Sequence, residues 1–174
     1  MRVFKLVMGA ALLFLVFLGL ITVFLPSHMT ITRTVLIHAD EKAVRMQITD
    51  FSNWMHWYPA FQNAHATVLI GSHGDTSFAT LKFDQQRQLS LGLFQTPDNT
   101  IEVFFPAAER KGENYQFILV KNGSGLIQLT WHATTTLGWY PWKKLGGIFL
   151  DKITGPQYDE ALQHLKSAAE NGSR

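Results

Sequence analysis

The chain has 174 residues, with 15 Lys+Arg, 13 Asp+Glu and no Cys, which leaves room for a membrane segment and one compact domain of ordinary size. Without Cys there are no disulfides, no thiolate metal sites and no acylated lipobox. Arg2 and Lys5 account for the whole +2 excess, and no stretch clusters basic residues; the electrostatic footprint of a nucleic-acid binder is missing.

The chain opens on an apolar run. Leu6 to Leu25 carries no charge, and 20 residues at 1.5 Å each make a helix of about 30 Å, the thickness of a bilayer's hydrocarbon core. Arg2 and Lys5 precede it without an acid beside them. The positive-inside rule therefore predicts a single pass through the cytoplasmic (inner) membrane, N-terminus in the cytoplasm and the remainder outside it. A cleavable signal peptide is the competing reading. Against it, the run exceeds the usual length of about 7–15 residues and its end, Phe24-Leu25-Pro26-Ser27-His28, lacks an A-x-A-like site. The expected division is an anchor over 1–27 and a domain over 28–174.

Thr30 to Ile37 alternates, with Ile31, Val35 and Ile37 on one face and Thr30, Thr32 and Thr34 on the other, which predicts a β-strand. Asp40 is placed to cap a helix over 41–49, in which Val44, Ile48 and Phe51 fall at helical spacing. A second short helix over 53–56 ends before Pro59. This stretch holds Phe51, Trp54, Trp57, Tyr58 and Phe61 within eleven positions, with His56 among them. Strands are predicted over 65–70, 76–83, 87–95, 99–105, 114–121 and 126–135, separated by Gly-, Asn- and Asp-rich turns, hence an antiparallel meander.

The C-terminal part turns helical. An apolar piece spans 144–152, and Gly146-Gly147 within it predicts a close helix–sheet approach. Tyr158, Ala161, Leu162, Leu165, Ala168 and Ala169 then share one helical face, and Thr154-Gly155-Pro156-Gln157 has the form of a capping box at its start. An antiparallel sheet of this size has one face to bury, and the last helix is the only large amphipathic element available to cover it. The fold class is α+β.

Several local motifs sharpen this: Val35-Leu36-Ile37-His38-Ala39 running into Glu41-Lys42-Ala43-Val44, Asp50-Phe51-Ser52-Asn53-Trp54 with Trp57 and Pro59 after it, Leu129-Thr130-Trp131, Gly138-Trp139-Tyr140-Pro141-Trp142, and Asp151-Lys152 with Gly155 ahead of Leu162 and Leu165. Over residues 30 to about 168 the chain resembles the START-like, or SRPBCC, superfamily with the helix-grip fold. The branch it looks most like is the one labelled polyketide cyclase/dehydrase, in a version with an N-terminal anchor. The resemblance implies a curved sheet wrapped around the C-terminal helix, with a cavity between them that takes a hydrophobic small molecule or lipid. In that arrangement Trp54 and Phe51 plug the core, Trp57, Tyr58, Phe61, Phe104 and Phe149 are the candidate ligand contacts, and His56 is exposed. The resemblance brings no cofactor and no catalytic signature with it. Two other readings stay open: a cyclase/dehydrase- or hydrolase-type enzyme using cavity polar groups, and a tethered interaction domain with a filled core.

For the enzymatic reading, His132 and Glu102 are the acid/base candidates. Each lies within an apolar strand, and a buried imidazole or carboxylate there would have a shifted pKa. Both are excluded from that role if their face of the sheet is the solvated one. The seven His, at 28, 38, 56, 65, 73, 132 and 164, show no H-x-x-x-H or H-E-x-x-H spacing, so no metal site is expected. Trp139-Tyr140-Pro141-Trp142 with Lys143-Lys144 has the composition either of a membrane-interface patch or of rings packed at the start of the last helix.

Overall fold

The computed structural model describes residues 2–62, 67–74, 76–82, 88–96, 100–105, 112–123, 125–138 and 140–172. Among them α1 (Arg2–Phe24) leads into β1 (His28–Ile37), α2 (Glu41–Thr49), a 3-10 turn (Phe51–Asn53), α3 (Trp54–Trp57) and α4 (Pro59–Gln62). There follow β2 (Thr67–His73), β3 (Thr76–Lys82), β4 (Gln88–Gln95), β5 (Thr100–Phe104), β6 (Glu113–Lys121) and β7 (Ile127–Thr136), then α5 (Pro141–Ile148) and α6 (Leu150–Gly172). His65, Trp139 and the predicted turn at 97–99 lie outside the described residues.

The strands form one sheet in the order β1-β7-β6-β5-β4-β3-β2, every neighbour antiparallel. From β2 onward this is the expected meander; β1 closes onto β7 because α2 to α4 carry the chain across the sheet's end. Strand periodicity then sets two faces. Ile31, Val35 and Ile37, then Ile101 and Val103, Tyr115, Phe117 and Leu119, and Ile127, Leu129, Trp131 and Ala133 point inward and are buried. The alternate residues point outward, where Thr30 pairs with Thr134 (2.9 Å) and Thr34 with Thr130 (3.2 Å). α6 packs along β1 and against α2 and α3, burying Ala161, Leu162, Leu165 and Ala169. Each buried Leu contributes roughly 1.5–3 kcal/mol. This is the helix-grip fold.

Three local expectations are corrected. β2 runs on to His73, so residues 71–73 are strand and the turn is delayed to Gly74, whose φ of 60° suits glycine. α6 begins at Leu150 and runs through Pro156 as one helix. The capping box does not form, because the Thr154 hydroxyl donates to the Leu150 carbonyl one turn back (2.8 Å) and the chain bends at Phe149 instead. Asp40 occupies the N-cap position of α2 but makes no side-chain capping bond, while Asp50 caps the 3-10 turn that follows, accepting from the Ser52 N–H (2.9 Å).

Gly147, rather than Gly146, is the close-approach glycine. A Cβ there would collide with Leu137 and press on Met29, whereas at Gly146 it would meet open space. A second close approach lies on α6. Asp151, Gly155 and Asp159 recur at i, i+4 and i+8, one stripe of the helix. The Arg33 guanidinium crosses this stripe at Gly155, bonding Asp151 (2.8 Å) and Asp159 (2.9 Å).

Candidate binding site in the aromatic interior

The stretch from Asp50 to Phe61 is built to end α2. The last carbonyls of a helix lack partners within it. Here Met46 O accepts from Asn53 Nδ2 (3.1 Å), Gln47 O from Trp57 Nε1 (2.9 Å) and Ile48 O from Trp54 Nε1 (2.8 Å). The hydrogen bonds draw both indoles inward, and Phe51, Trp54, Trp57, Tyr58 and Phe61 are all buried. Trp54 stands at the centre, its ring 4.7 Å from Trp57, 5.1 Å from Phe51 and Tyr58 and 5.6 Å from Phe61. Thus Trp57, Tyr58 and Phe61 join Trp54 and Phe51 inside the core, and His56 is exposed, as expected.

This cluster meets a second one on the inner face of the sheet. Trp131 lies 6.2 Å from Trp57 and Tyr58, 5.0 Å from Phe117, 5.2 Å from Tyr115 and 4.7 Å from Tyr158 of α6. Tyr58 and Tyr115 share a hydrogen bond between their hydroxyls (3.1 Å). The third buried indole differs from the other two: Trp131 Nε1 has no hydrogen-bond partner among the described residues. Buried donors are almost always paired, and an orphan costs about 1–3 kcal/mol. The interior is therefore a packed aromatic core with one unpaired donor among the described residues, Trp131 Nε1. Its rings touch, and Trp131 is only 1% exposed; Tyr158, partly buried at the seam between α6 and the sheet, is its outermost ring.

Burial, above all, pushes the Tyr115 hydroxyl well above the usual tyrosine range, with Tyr58, Tyr158 and Glu113 adding to the shift. The folded chain thus keeps a proton that the unfolded chain releases near pH 10. Stability from this group is complete below about pH 10 and is lost as the pH rises past it. The thermal midpoint of wild type is expected to fall above pH 10 more steeply than that of Tyr115→Phe; parallel curves would exclude the effect.

The other sequence candidates lie outside this aromatic interior. Phe104 is on the outer face, since Ile101 and Val103 take the inward positions of β5. Its ring lies over Gly92, beside Phe78 and Phe94. Phe149 is 58% exposed at the bend between α5 and α6. His132 and Glu102 are also on the outer face, linked by register through Gln116. His132 bonds the Thr32 hydroxyl (2.8 Å) and Glu102 accepts from Gln116 (2.9 Å). They share the solvated face, so neither sits in an apolar cavity. Among the described residues the buried polar side chains are Gln47 and Lys144, with no carboxylate or imidazole, and no three His, Asp or Glu come together as a metal set.

A separate cleft of ≈ 490 Å³ runs between α6 and the α2–α4 segment, lined by Gln47, Asn53, His56, Gln62, His164 and Ser167 among others. Gln47 Oε1 and His164 Nδ1 each lack a hydrogen-bond partner among the described residues. Its uncharged polar lining suits ordered water.

Sequence reasoning did not single out Tyr115, Tyr158 or Trp131 as site residues. The signal was present, for Tyr115, Phe117 and Trp131 occupy the inward phase of two adjacent strands.

No family model matches the chain, and no curated protein matches it in sequence. Solved structures do match in fold. The Zhui aromatase/cyclase from Streptomyces sp. R1128 superposes with a TM-score of 0.64 at 12% identity, over 84% of this chain and 96% of that one. A protein from Thermus thermophilus gives 0.64 at 10% identity, over 84% and 100%. The di-domain ARO/CYC StfQ from the steffimycin biosynthetic pathway gives 0.59 at 10% identity, over 83% of this chain and 51% of that one. At these identities the likeness is one of fold.

Proposed function

We propose that this chain is a membrane-tethered helix-grip domain that binds an apolar molecule carrying an oxygen acceptor. The observation behind this reading is the unpartnered Trp131 Nε1 within a wall of aromatic rings. Ligand sites are mostly apolar with a few convergent polar groups, and an acceptor oxygen on the ligand would satisfy the indole. That two of the similar structures are aromatase/cyclases supports a small-molecule occupant. Residues 1–27 hold the domain at the cytoplasmic membrane and residues 28–174 lie outside the cytoplasm. The molecule enters beside Tyr158. There Pro156 removes one backbone hydrogen bond of α6, which eases the helix away from the sheet.

Native mass spectrometry of the full-length chain extracted in detergent tests the binding. A copurified apolar compound containing oxygen should appear as an adduct, with lower occupancy in Trp131→Phe. A bare chain, gently extracted, would count against the reading, as would equal occupancy in the variant.

A further inference from the structure

The end of α1 is fastened to α5. Buried Lys144 donates from Nζ to the Leu25 carbonyl (3.0 Å), and the Leu137 N–H donates to the Ser27 carbonyl (2.8 Å). A cation at a helix C-terminus is favoured by the helix dipole. α5 therefore starts where α1 stops, and its position is fixed relative to the anchor.

The face that α5 turns away from the domain is apolar. Trp142 and Gly146 are exposed at i and i+4 of α5, and Phe149 and Ile153 are exposed at and just after the bend into α6, an apolar stripe in sequence order. Trp142 is 66%, Phe149 58% and Ile153 67% exposed. Tyr140 stacks on Trp142 at 5.0 Å, and Lys143 Nζ sits 5.7 Å from the Tyr140 ring. Lys143 and Lys152 flank the stripe in solvent. The acid next to Lys152, Asp151, is engaged by Arg33.

We propose that this stripe is a second membrane contact: α5 and the first turn of α6 lie in the headgroup region of the bilayer that α1 enters. The inference rests on the tethered reading above and adds an orientation to it. Three features favour lipid as the occupant. The helix that carries Trp142, α5, is joined to the end of the anchor by the Lys144–Leu25 hydrogen bond. The stripe's rings are Trp and Tyr, the residues whose amphipathic rings settle at the headgroup level. Its flanks are the exposed Lys143 and Lys152, which an anionic surface attracts. An amphipathic helix in this setting buries its apolar face about 5–10 Å into the headgroup boundary. The contact sets the domain on its α5 edge, so that the seam at Tyr158, further along α6, is held at a fixed angle to the membrane.

The chain has no Cys, so single-cysteine spin labels report one site each. Full-length protein is reconstituted in vesicles of phosphatidylethanolamine and phosphatidylglycerol, labelled in turn at Trp142→Cys, Phe149→Cys and Ile153→Cys. Leu13→Cys reads the anchor, and Val120→Cys on the outer sheet face serves as the solvent reference. Collision with oxygen, which concentrates in lipid, is compared with collision with a water-soluble nickel chelate. The three stripe labels should show an oxygen-to-nickel ratio several-fold above Val120 and below Leu13. If they match Val120 while Leu13 reads lipid, the tether stands and the contact is refuted. Low access to both reagents with dipolar broadening between labels would instead reveal contact between two copies, and would equally refute it. Leu13 in water would overturn both readings.

Discussion

Replacing Trp54 by Ala is expected to cost about 3–5 kcal/mol, the range for deleting a large aromatic from a core. Its ring is fully buried and touches Phe51, Trp57, Tyr58, Phe61 and Phe117. Its indole also closes the Ile48 carbonyl at the end of α2. The substitution thus opens a cavity and leaves a helix end unpartnered. For a domain of this size the thermal midpoint falls roughly 2–4 °C per kcal/mol, so thermal denaturation should show a drop near 10 °C. Trp54→Phe keeps most of the ring and loses the hydrogen bond, and should cost much less. A Trp54→Ala protein as stable as wild type would mean that this stretch serves something other than the core.

Gly155→Ala should come out near neutral, although alanine is the better helix former by about 1 kcal/mol. The added Cβ would overlap the Arg33 guanidinium and crowd Asp151 Oδ1, displacing Arg33 from both carboxylates. The guanidinium is the far end of a flexible side chain and moves aside, so the loss is that of its partly exposed ion pairs, about 1 kcal/mol. The two effects are separable by a double-mutant cycle. With Arg33→Ala in the background the clash is gone, and Gly155→Ala should become stabilising. If the glycine substitution has the same effect in both backgrounds, the guanidinium does not need that gap. Chemical denaturation of the four proteins reads the cycle.

Much of the fold was legible because strand alternation and helical spacing report burial directly. Most inward positions of β1, β6 and β7 are apolar, and α6 repeats Leu and Ala at helical spacing. What escaped depended on atoms distant in sequence. The start of α6 at Leu150 was hidden because Thr154 looks like a cap until its hydroxyl is seen to bond one turn back. The Arg33–Gly155 crossing joins positions more than a hundred residues apart. Phe104 and Phe149 were chosen for aromatic character, which does not say which face of an element a ring occupies. The aromatic stretch at 50–61 suggested a ligand loop by composition. Its Asn and Trp donors instead serve the last carbonyls of α2, a role that no local pattern announces. Trp131 is the converse case: its inward phase was plain, but an unpaired indole N–H becomes visible only when every neighbour is placed.

The most direct test of the account is the Trp131 indole resonance in the full-length, 15N-indole-labelled protein in detergent micelles. Two compounds of matched shape are added, 1-tetralone with a carbonyl oxygen and tetralin without one. The account predicts that tetralone moves the Trp131 N–H signal downfield, as a new hydrogen bond requires, while the signals of Trp54 and Trp57, already bonded to α2, stay in place. Tetralin should leave the Trp131 signal unmoved. A Trp131 signal indifferent to tetralone, or shifted equally by both compounds, would contradict the proposal that this donor waits for a ligand oxygen.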